Sequence, residues 1–423
     1  MKAVSIDEAK QGNKKHYNWL DTLARQTVLS LFENISVGHL VLTENGESRT
    51  FGQPRDQAEI VAHIVVNQPW AYRRVLLAGS VGSGEAYMLR GWTSPDPLQV
   101  VRLMVRNQAM MNAMNRRWSQ LKGLLCWLFH KINRNSLDGA RNNISAHYDL
   151  SNEFFSLFLD PMRMYSAAVF DGPDCTLEQA SINKLDQVCR SLNLCPDDHL
   201  LEIGTGWGGL AIYAAKHYGC KVTTTTISSR QYDYAKAWIE REGLSDRITL
   251  LQQDYRDLTG RYDKLVSIEM VEAVGHQYYS RFFEKCSDLL KPNGLMVMQA
   301  ITIADQSYHA AKKSVDYIQR YIFPGGALPS LEIIGHHLRK DTNMQMVALT
   351  DITKDYAKTL AEWRKRFWAN IDQVRQQGFD DVFERMWDYY LVYCEGGFQE
   401  RVISTVQLLF AKPDARDFPR VIN

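Results

Sequence analysis

Residues 200–209 read LLEIGTGWGG: strand-forming residues, an acid, glycines at 204, 206, 208 and 209, and then the helical pattern LAIYAAKHYG. Glycines at a strand-to-helix junction let the backbone turn sharply and approach a ligand closely, while the helix N-terminus behind them offers unpaired N–H groups. The junction therefore predicts a nucleotide-type pocket and fixes its flanks as strand and helix. From about residue 180 the pattern alternates accordingly. ASINKLDQVCRSLN reads as an amphipathic helix, HLLEIG, KVTTTTIS, RITLLQQD, YDKLVSIEMV and LMVMQAIT as strands, and SSRQYDYAKAWIEREG and YYSRFFEKCSDLLKPNG as helices between them. Such alternation predicts an α/β fold with a mostly parallel sheet and a ligand site at the carboxyl ends of the strands. Gly204, Thr226, Asp254, Glu269, Glu272 and Gln299 then share one edge.

An NAD-binding unit places an acid about 20 residues beyond its glycines, at the end of the second strand, to hold ribose hydroxyls. Thr225, Thr226, Ile227 and Ser228 occupy that place here. The dinucleotide reading loses its second anchor.

With 423 residues the chain is long enough for two domains and a large core. Lys+Arg 49 against Asp+Glu 48, with 45% hydrophobic residues, argues against disorder and against a basic nucleic-acid binder. The 7 cysteines are odd in number and include no CxxC pair, so a reduced cytoplasmic setting is expected and no metal site. The N-terminus MKAVSIDEAKQGNKK lacks an apolar signal core, and no apolar run reaches the roughly 18–20 residues that span a bilayer. Membrane contact is expected to be peripheral, at the inner face.

LFENISVGHLVLTEN and RVLLAGSVGSGEAYMLRGW read as short strands broken by glycine turns, and DPLQVVRLMVRNQAMMNAMNRRW as a helix. Residues 1–115 thus form a small α+β domain. Residues 116–145 are a basic linker: between Arg116 and Arg141 stand six Lys/Arg and one acid around Trp118, Trp127 and Phe129. Such a stretch either lies in a membrane interface or packs its apolar side on the protein. The remainder, 146–415, is the α/β domain, with an insertion over about 305–400.

Nine segments together resemble the cyclopropane fatty acid synthases and mycolic acid cyclopropane synthases, which use S-adenosylmethionine (SAM). They are GEAYMLRGW (84–92), HYDLSNEFFSLFLD (147–160), YSAAVF (165–170), LEIGTGWGGLA (201–211), TTISSRQ (225–231), QQDYRDL (252–258), VSIEMVEAVG (266–275), YIFPGGALPS (321–330) and DYAKTLAEW (355–363). They run in the family's order over nearly the whole chain. The resemblance implies a class I SAM methyltransferase, Rossmann-like, with a helical lid insertion and a small lipid- or membrane-associated N-terminal domain. It implies an unsaturated phospholipid at a membrane surface as substrate, and it allows a homodimer. Carried over by position, Tyr165 and Ser166 meet the methionine part of SAM, Gly204 and Gly206 pass beneath it, and Thr226 and Gln231 hold the ribose side. Asp254 and Tyr255 border the adenine, and Glu202 and Ile268 complete the cofactor-binding set. A plain alternative stays open for each, Thr226 as a strand residue and Tyr255 as core among them.

The family's closure of a cyclopropane is associated with a bicarbonate held by a Cys, a Glu, a His, a Tyr and a backbone group. Glu272 matches the Glu, Tyr356 the Tyr and Ile301 the backbone donor, but Ala167 stands at the Cys and Gln299 at the His. An amide cannot carry the positive charge of His, and like charges held close disfavour one another, so bicarbonate is expected to bind poorly beside Glu272. Glu269 stands where the family usually has Gly, and Ala273 where His is usual. Glu269 reads as a substitute base, as a counter-charge for the sulfonium, or as a strand-end residue paired with a Lys or Arg.

Three outcomes follow: a cyclopropane synthase with a rewired base, a methyltransferase that leaves a methylated alkene for a partner oxidoreductase, or a SAM- and lipid-binding protein that no longer catalyses. Tyr317, Tyr321, Phe323, Trp363, Phe367 and Trp368 are candidates to face the acyl chain, since ring faces stabilise passing positive charge by roughly 0.5–2 kcal/mol each.

Overall fold

The structure is a computed structural model and describes residues 18–108 and 150–417; the basic stretch 116–141 lies outside the described residues. The chain divides into two compact units. One comprises residues 1–149, 316–322 and 378–400, the other 150–315, 323–377 and 401–423.

In the first unit, strands β1 (His39–Glu44), β2 (Glu47–Gly52), β3 (Val61–Val66) and β4 (Trp92–Thr93) form a mixed sheet in the order β2-β1-β3-β4. β1 pairs antiparallel with β2 and parallel with β3. The α+β character agrees with the sequence reading, but of residues 74–92 only Trp92 enters a strand. A helix, Trp70–Met88, takes up most of the segment and is broken only at Gly79, where φ is 56°. Gly84 serves close packing rather than a turn: a Cβ on it would lie 2.3 Å from the ring of Tyr317. That contact also corrects the expected boundary. Residues 316–322 and 378–400, read from sequence as part of an insertion in the α/β domain, belong with the N-terminal unit. Tyr317 is fully buried there and donates to Met386 O at 3.0 Å, and a Cβ on Gly396 would lie 2.7 Å from Val101.

In the second unit, β5 (His199–Ile203), β6 (Lys221–Thr226), β7 (Ile248–Gln252), β8 (Tyr262–Ile268), β9 (Leu290–Ile303), β10 (Gln345–Asp351) and β11 (Ile403–Ala411) form one sheet in the order β10-β11-β9-β8-β5-β6-β7. The pairs from β9 through β7 are parallel; β11 and β10 are antiparallel. Alternate residues of each strand serve opposite faces, as the pleat requires. Leu200, Val222, Val266 and Val297 join one apolar cluster with Leu185, Val188, Leu210 and Trp238. Leu201, Leu265, Met296 and Met298 join another with Phe282, Phe283, Cys286 and Leu338. Each such buried side chain stabilises the fold by roughly 1.5–3 kcal/mol, so the central strands are held rigidly and their carboxyl ends are a firm base for a site.

Candidate active site

The glycine junction sits at the end of β5. Gly204, Gly206 and Gly208 have φ of 101°, 52° and 96°, conformations that side chains rarely adopt. A Cβ on Gly206 would meet nothing within 4 Å, so its backbone faces open space. Behind it the helix Gly209–Tyr218 begins, and a Cβ on Gly209 would lie 2.5 Å from Met162 O. Small residues, an open backbone and free N–H groups at a helix start fit a nucleotide-like cofactor. Glu202 does not reach this surface. It is buried, accepts from the hydroxyls of Thr205 at 3.1 Å and Thr224 at 2.6 Å, and burial raises its carboxyl to about 7. At the end of β6, Thr226 Oγ1 accepts from Ser228 N at 3.1 Å and donates to Gln231 Oε1 at 3.0 Å, so the two residues predicted on the ribose side form one bonded unit. Asp254 is clasped by Arg256, Nε at 2.9 Å and Nη2 at 2.8 Å, which lowers its carboxyl pKa. Tyr255 rests half-buried against Phe282, and Ile268 ends β8 against the apolar cluster.

One strand over, the ends of β8 and β9 carry a polar cluster. Glu269 Oε1 accepts from Ala167 N at 2.9 Å and from Gln299 Nε2 at 2.7 Å, and its Oε2 accepts from Tyr356 O–H at 2.8 Å. Gln299 is fully buried, donates as well to Ala167 O at 3.3 Å, and accepts from Gln407 Nε2 at 3.0 Å. Glu269 itself has φ 47°, a left-handed conformation that disfavours side chains by roughly 1–2 kcal/mol. The four bonds to its backbone and carboxylate, including Glu269 N to Gln299 O at 2.8 Å, hold it there. Next to it, Glu272 Oε1 accepts from Ile301 N, while its buried Oε2 has no partner among the described residues. Burial, and then the charge of Glu269, push the Glu272 carboxyl up to about 8. Burial also raises Glu269, but its three donors and Lys184 oppose the shift. Burial raises both adjacent acids: Glu272, pushed to about 8, is neutral near pH 7, while the three donors and Lys184 favour the ionised form of Glu269 against its burial.

The mycolic acid cyclopropane synthetase family model matches residues 135–408. The chain belongs to this family. It is 36% identical over 342 residues to tuberculostearic acid methyltransferase UfaA1 of Mycobacterium tuberculosis, covering 79% of each chain. It is 35% identical over 359 residues to the cyclopropane-fatty-acyl-phospholipid synthase of Escherichia coli K12, covering 83% of this chain and 88% of that protein. Among solved structures, mycolic acid cyclopropane synthase CmaA1 complexed with SAH and CTAB matches at 30% identity and TM-score 0.59, over 64% of this chain and 98% of that one. This synthetase-family chain is a class I SAM-dependent methyltransferase, and SAM is its cofactor.

Of the aromatic residues expected over the family's acyl site, only some are gathered in this unit. Tyr165 packs against Trp363 at 5.3 Å, Phe323 at 6.1 Å and Phe155 at 5.2 Å between ring centroids. Phe367 turns to Phe154, and Trp368 is 39% exposed. Tyr317 and Tyr321 belong to the other unit, where Tyr321 O–H donates to Glu85 at 2.6 Å.

Sequence reasoning missed Lys184. It is fully buried and donates from Nζ to Ser166 Oγ at 3.0 Å. The signal was present: in the helix Leu177–Ser191, Leu177, Ala180, Ser181, Lys184, Leu185 and Val188 occupy one buried face at helical spacing, with a lysine among apolar and small residues.

Proposed function

We propose that this enzyme methylates the cis double bond of an unsaturated phospholipid acyl chain and releases a methylated alkene, with Glu269 in the place a bicarbonate would take. When bound, SAM supplies a methyl group on a sulfonium. A chain alkene that has gained a methyl is a carbocation. If a proton leaves from a chain carbon next to the cationic carbon, the electrons of that C–H bond become a new double bond, and a methyl branch remains. Closure to a ring instead requires the proton to leave the added methyl.

The observation that carries this reading is the occupancy of the donors. Ala167 N, Gln299 Nε2 and Tyr356 O–H all converge on the Glu269 carboxylate, and Ile301 N is taken by Glu272. A bicarbonate does not fit these residues, because the groups that would hold it are already bonded to carboxylates of the chain. Glu269 Oε1 accepts two hydrogen bonds and Oε2 one, which leaves an acceptor position on Oε2 for a proton. A carboxylate fixed at a strand end is also positioned to stabilise nearby positive charge. The tuberculostearic acid methyltransferase relative supports acyl methylation without a ring in its name.

The retained double bond would make the product a substrate for an oxidoreductase. No helix among the described residues is long and apolar enough to cross a membrane, and we place the enzyme at the inner membrane face, where its lipid lies. Expression of the full chain in a host with unsaturated phospholipids, followed by mass spectrometry of the lipids, tests the reading. A methylated chain that still takes up hydrogen on catalytic reduction is expected; a cyclopropane chain would overturn it.

A further inference from the structure

Lys184 is a charged side chain with no exposure in a helix that otherwise buries apolar and small residues. Lysine is almost never fully buried unless paired, because desolvation penalises its charge. Its hydrogen-bond partner is a neutral hydroxyl, Ser166 Oγ at 3.0 Å. The carboxylates that favour its charge, Glu269, Asp160 and Glu202, act on it through space. Conversely, burial raises all three of those acids, and the charge of Lys184 opposes the rise in each. The geometry links it to the reacting end of the site in another way. Ser166 is bonded to Lys184 and precedes Ala167, whose N–H donates to Glu269 at 2.9 Å.

We infer that Lys184 is a positioning residue: its buried ammonium anchors the Tyr165–Ala167 segment through Ser166 and supplies positive charge that favours the ionised form of Glu269. This rests on the reading of Glu269 as the built-in carboxylate. Ala167 N from the 165–170 segment, Gln299 from β9 and Tyr356 from the helix Thr353–Ala369 bond to Glu269, and Glu272 from the helix Val271–Val274 and Lys184 act with it through space. Only Lys184 among them carries positive charge. Without it, burial raises Glu269 unopposed by any cation.

The test is Lys184→Met in the full chain, which keeps length and removes charge. Two quantities are read against pH: the melting temperature of the protein without cofactor or lipid, and the rate of SAH release with unsaturated phospholipid vesicles. An opposite charge lowers a nearby carboxyl by about 1–3 pH units, so the acid limb of the rate profile is expected to move up by about one unit or more. In the variant the folded acids bind protons that the unfolded chain releases. Its deficit in melting temperature relative to the parent is therefore expected to widen as pH rises from about 5 to 8. A merely structural lysine would give a deficit independent of pH and an unmoved acid limb, and that result overturns the inference. If Lys184→Met does not fold, the double variant Lys184→Met with Glu269→Gln is expected to fold, since it removes both charges; a double variant that also fails to fold overturns the inference. The melt needs no lipid, and SAH release counts turnovers whichever lipid product forms. A cyclopropane product would therefore sink the proposed reaction while leaving the result on Lys184 standing.

Discussion

The cofactor edge and the carboxylate cluster lie on neighbouring strands of one sheet, yet they are built by opposite rules. At the end of β5 the chain keeps side chains out: three glycines take positive-φ conformations, and Gly206 among them leaves its backbone facing open space. At the end of β8 it puts a side chain in, at a backbone conformation equally suited to glycine, and surrounds its carboxylate with three donors. In the proposed reaction the first arrangement holds the cofactor, and the second sets what happens after the methyl has moved.

The largest effect expected from breaking this contrast is that of Glu269→Gln. Loss of a positioned proton acceptor typically lowers a rate by about 10²–10⁴-fold, so kcat for SAH release should fall in that range while the SAM Kd from titration calorimetry changes only a few-fold. Equal losses in both would merge the two regions into one. On the other edge, Gly204→Ala introduces a Cβ at φ 101° and 3.2 Å from Met270 Cγ. A side chain in such a region costs about 1–3 kcal/mol, and SAM affinity should weaken about tenfold or more, with kcat at saturating SAM nearly kept.

Tyr356→Phe removes one of the donors to the Glu269 carboxylate. A hydrogen bond to a charged group contributes about 1.5–3 kcal/mol; because two other donors remain, a drop in kcat near the lower figure, roughly tenfold, is expected with SAM Kd unchanged. Glu272 gives a smaller, pH-dependent effect. Its carboxyl is raised from 4.5 to about 8 in the folded chain. Between those values the folded state holds a proton that the unfolded state has lost, so this contribution to stability is complete below the lower value and is lost as pH rises through the upper one. Glu272→Gln should flatten that decline in melting temperature, by a few degrees across the window. Smallest is Thr226→Val, which loses the hydroxyl linking Ser228 N to Gln231; about 1 kcal/mol should appear as a few-fold weaker SAM binding.

The α/β half was legible because its signals are local. Strand runs and amphipathic helices alternate at regular spacing, and the glycine loop marks where the sheet turns to its ligand. Glu269, Ala167, Gln299 and Tyr356 could each be singled out through the family resemblance, but the bonding of the last three to Glu269 could not, because they are brought to it from 102, 30 and 87 residues away. Lys184 was legible in principle and overlooked, since a single lysine on an apolar face looks like a solvated helix residue until burial is known. The helix Trp70–Met88 was misread for a physical reason: glycines placed for contact with large rings leave the same trace as glycines placed for turns. The membership of 316–322 and 378–400 is a matter of long-range packing, which no window of sequence contains.

That interleaving has a practical consequence for anyone dissecting the protein. The polypeptide leaves and re-enters the N-terminal unit twice after residue 150, so no single cut yields either half. A fragment beginning at residue 150 would retain Tyr317, fully buried in the intact chain, without Gly84 and Met88 against which it packs, and the helix Asp381–Gln399 without the helices Trp70–Met88 and Pro97–Arg106. Such a fragment would expose a sticky aromatic face and tend to precipitate, and a truncation series on this enzyme would report on solubility before it reported on catalysis.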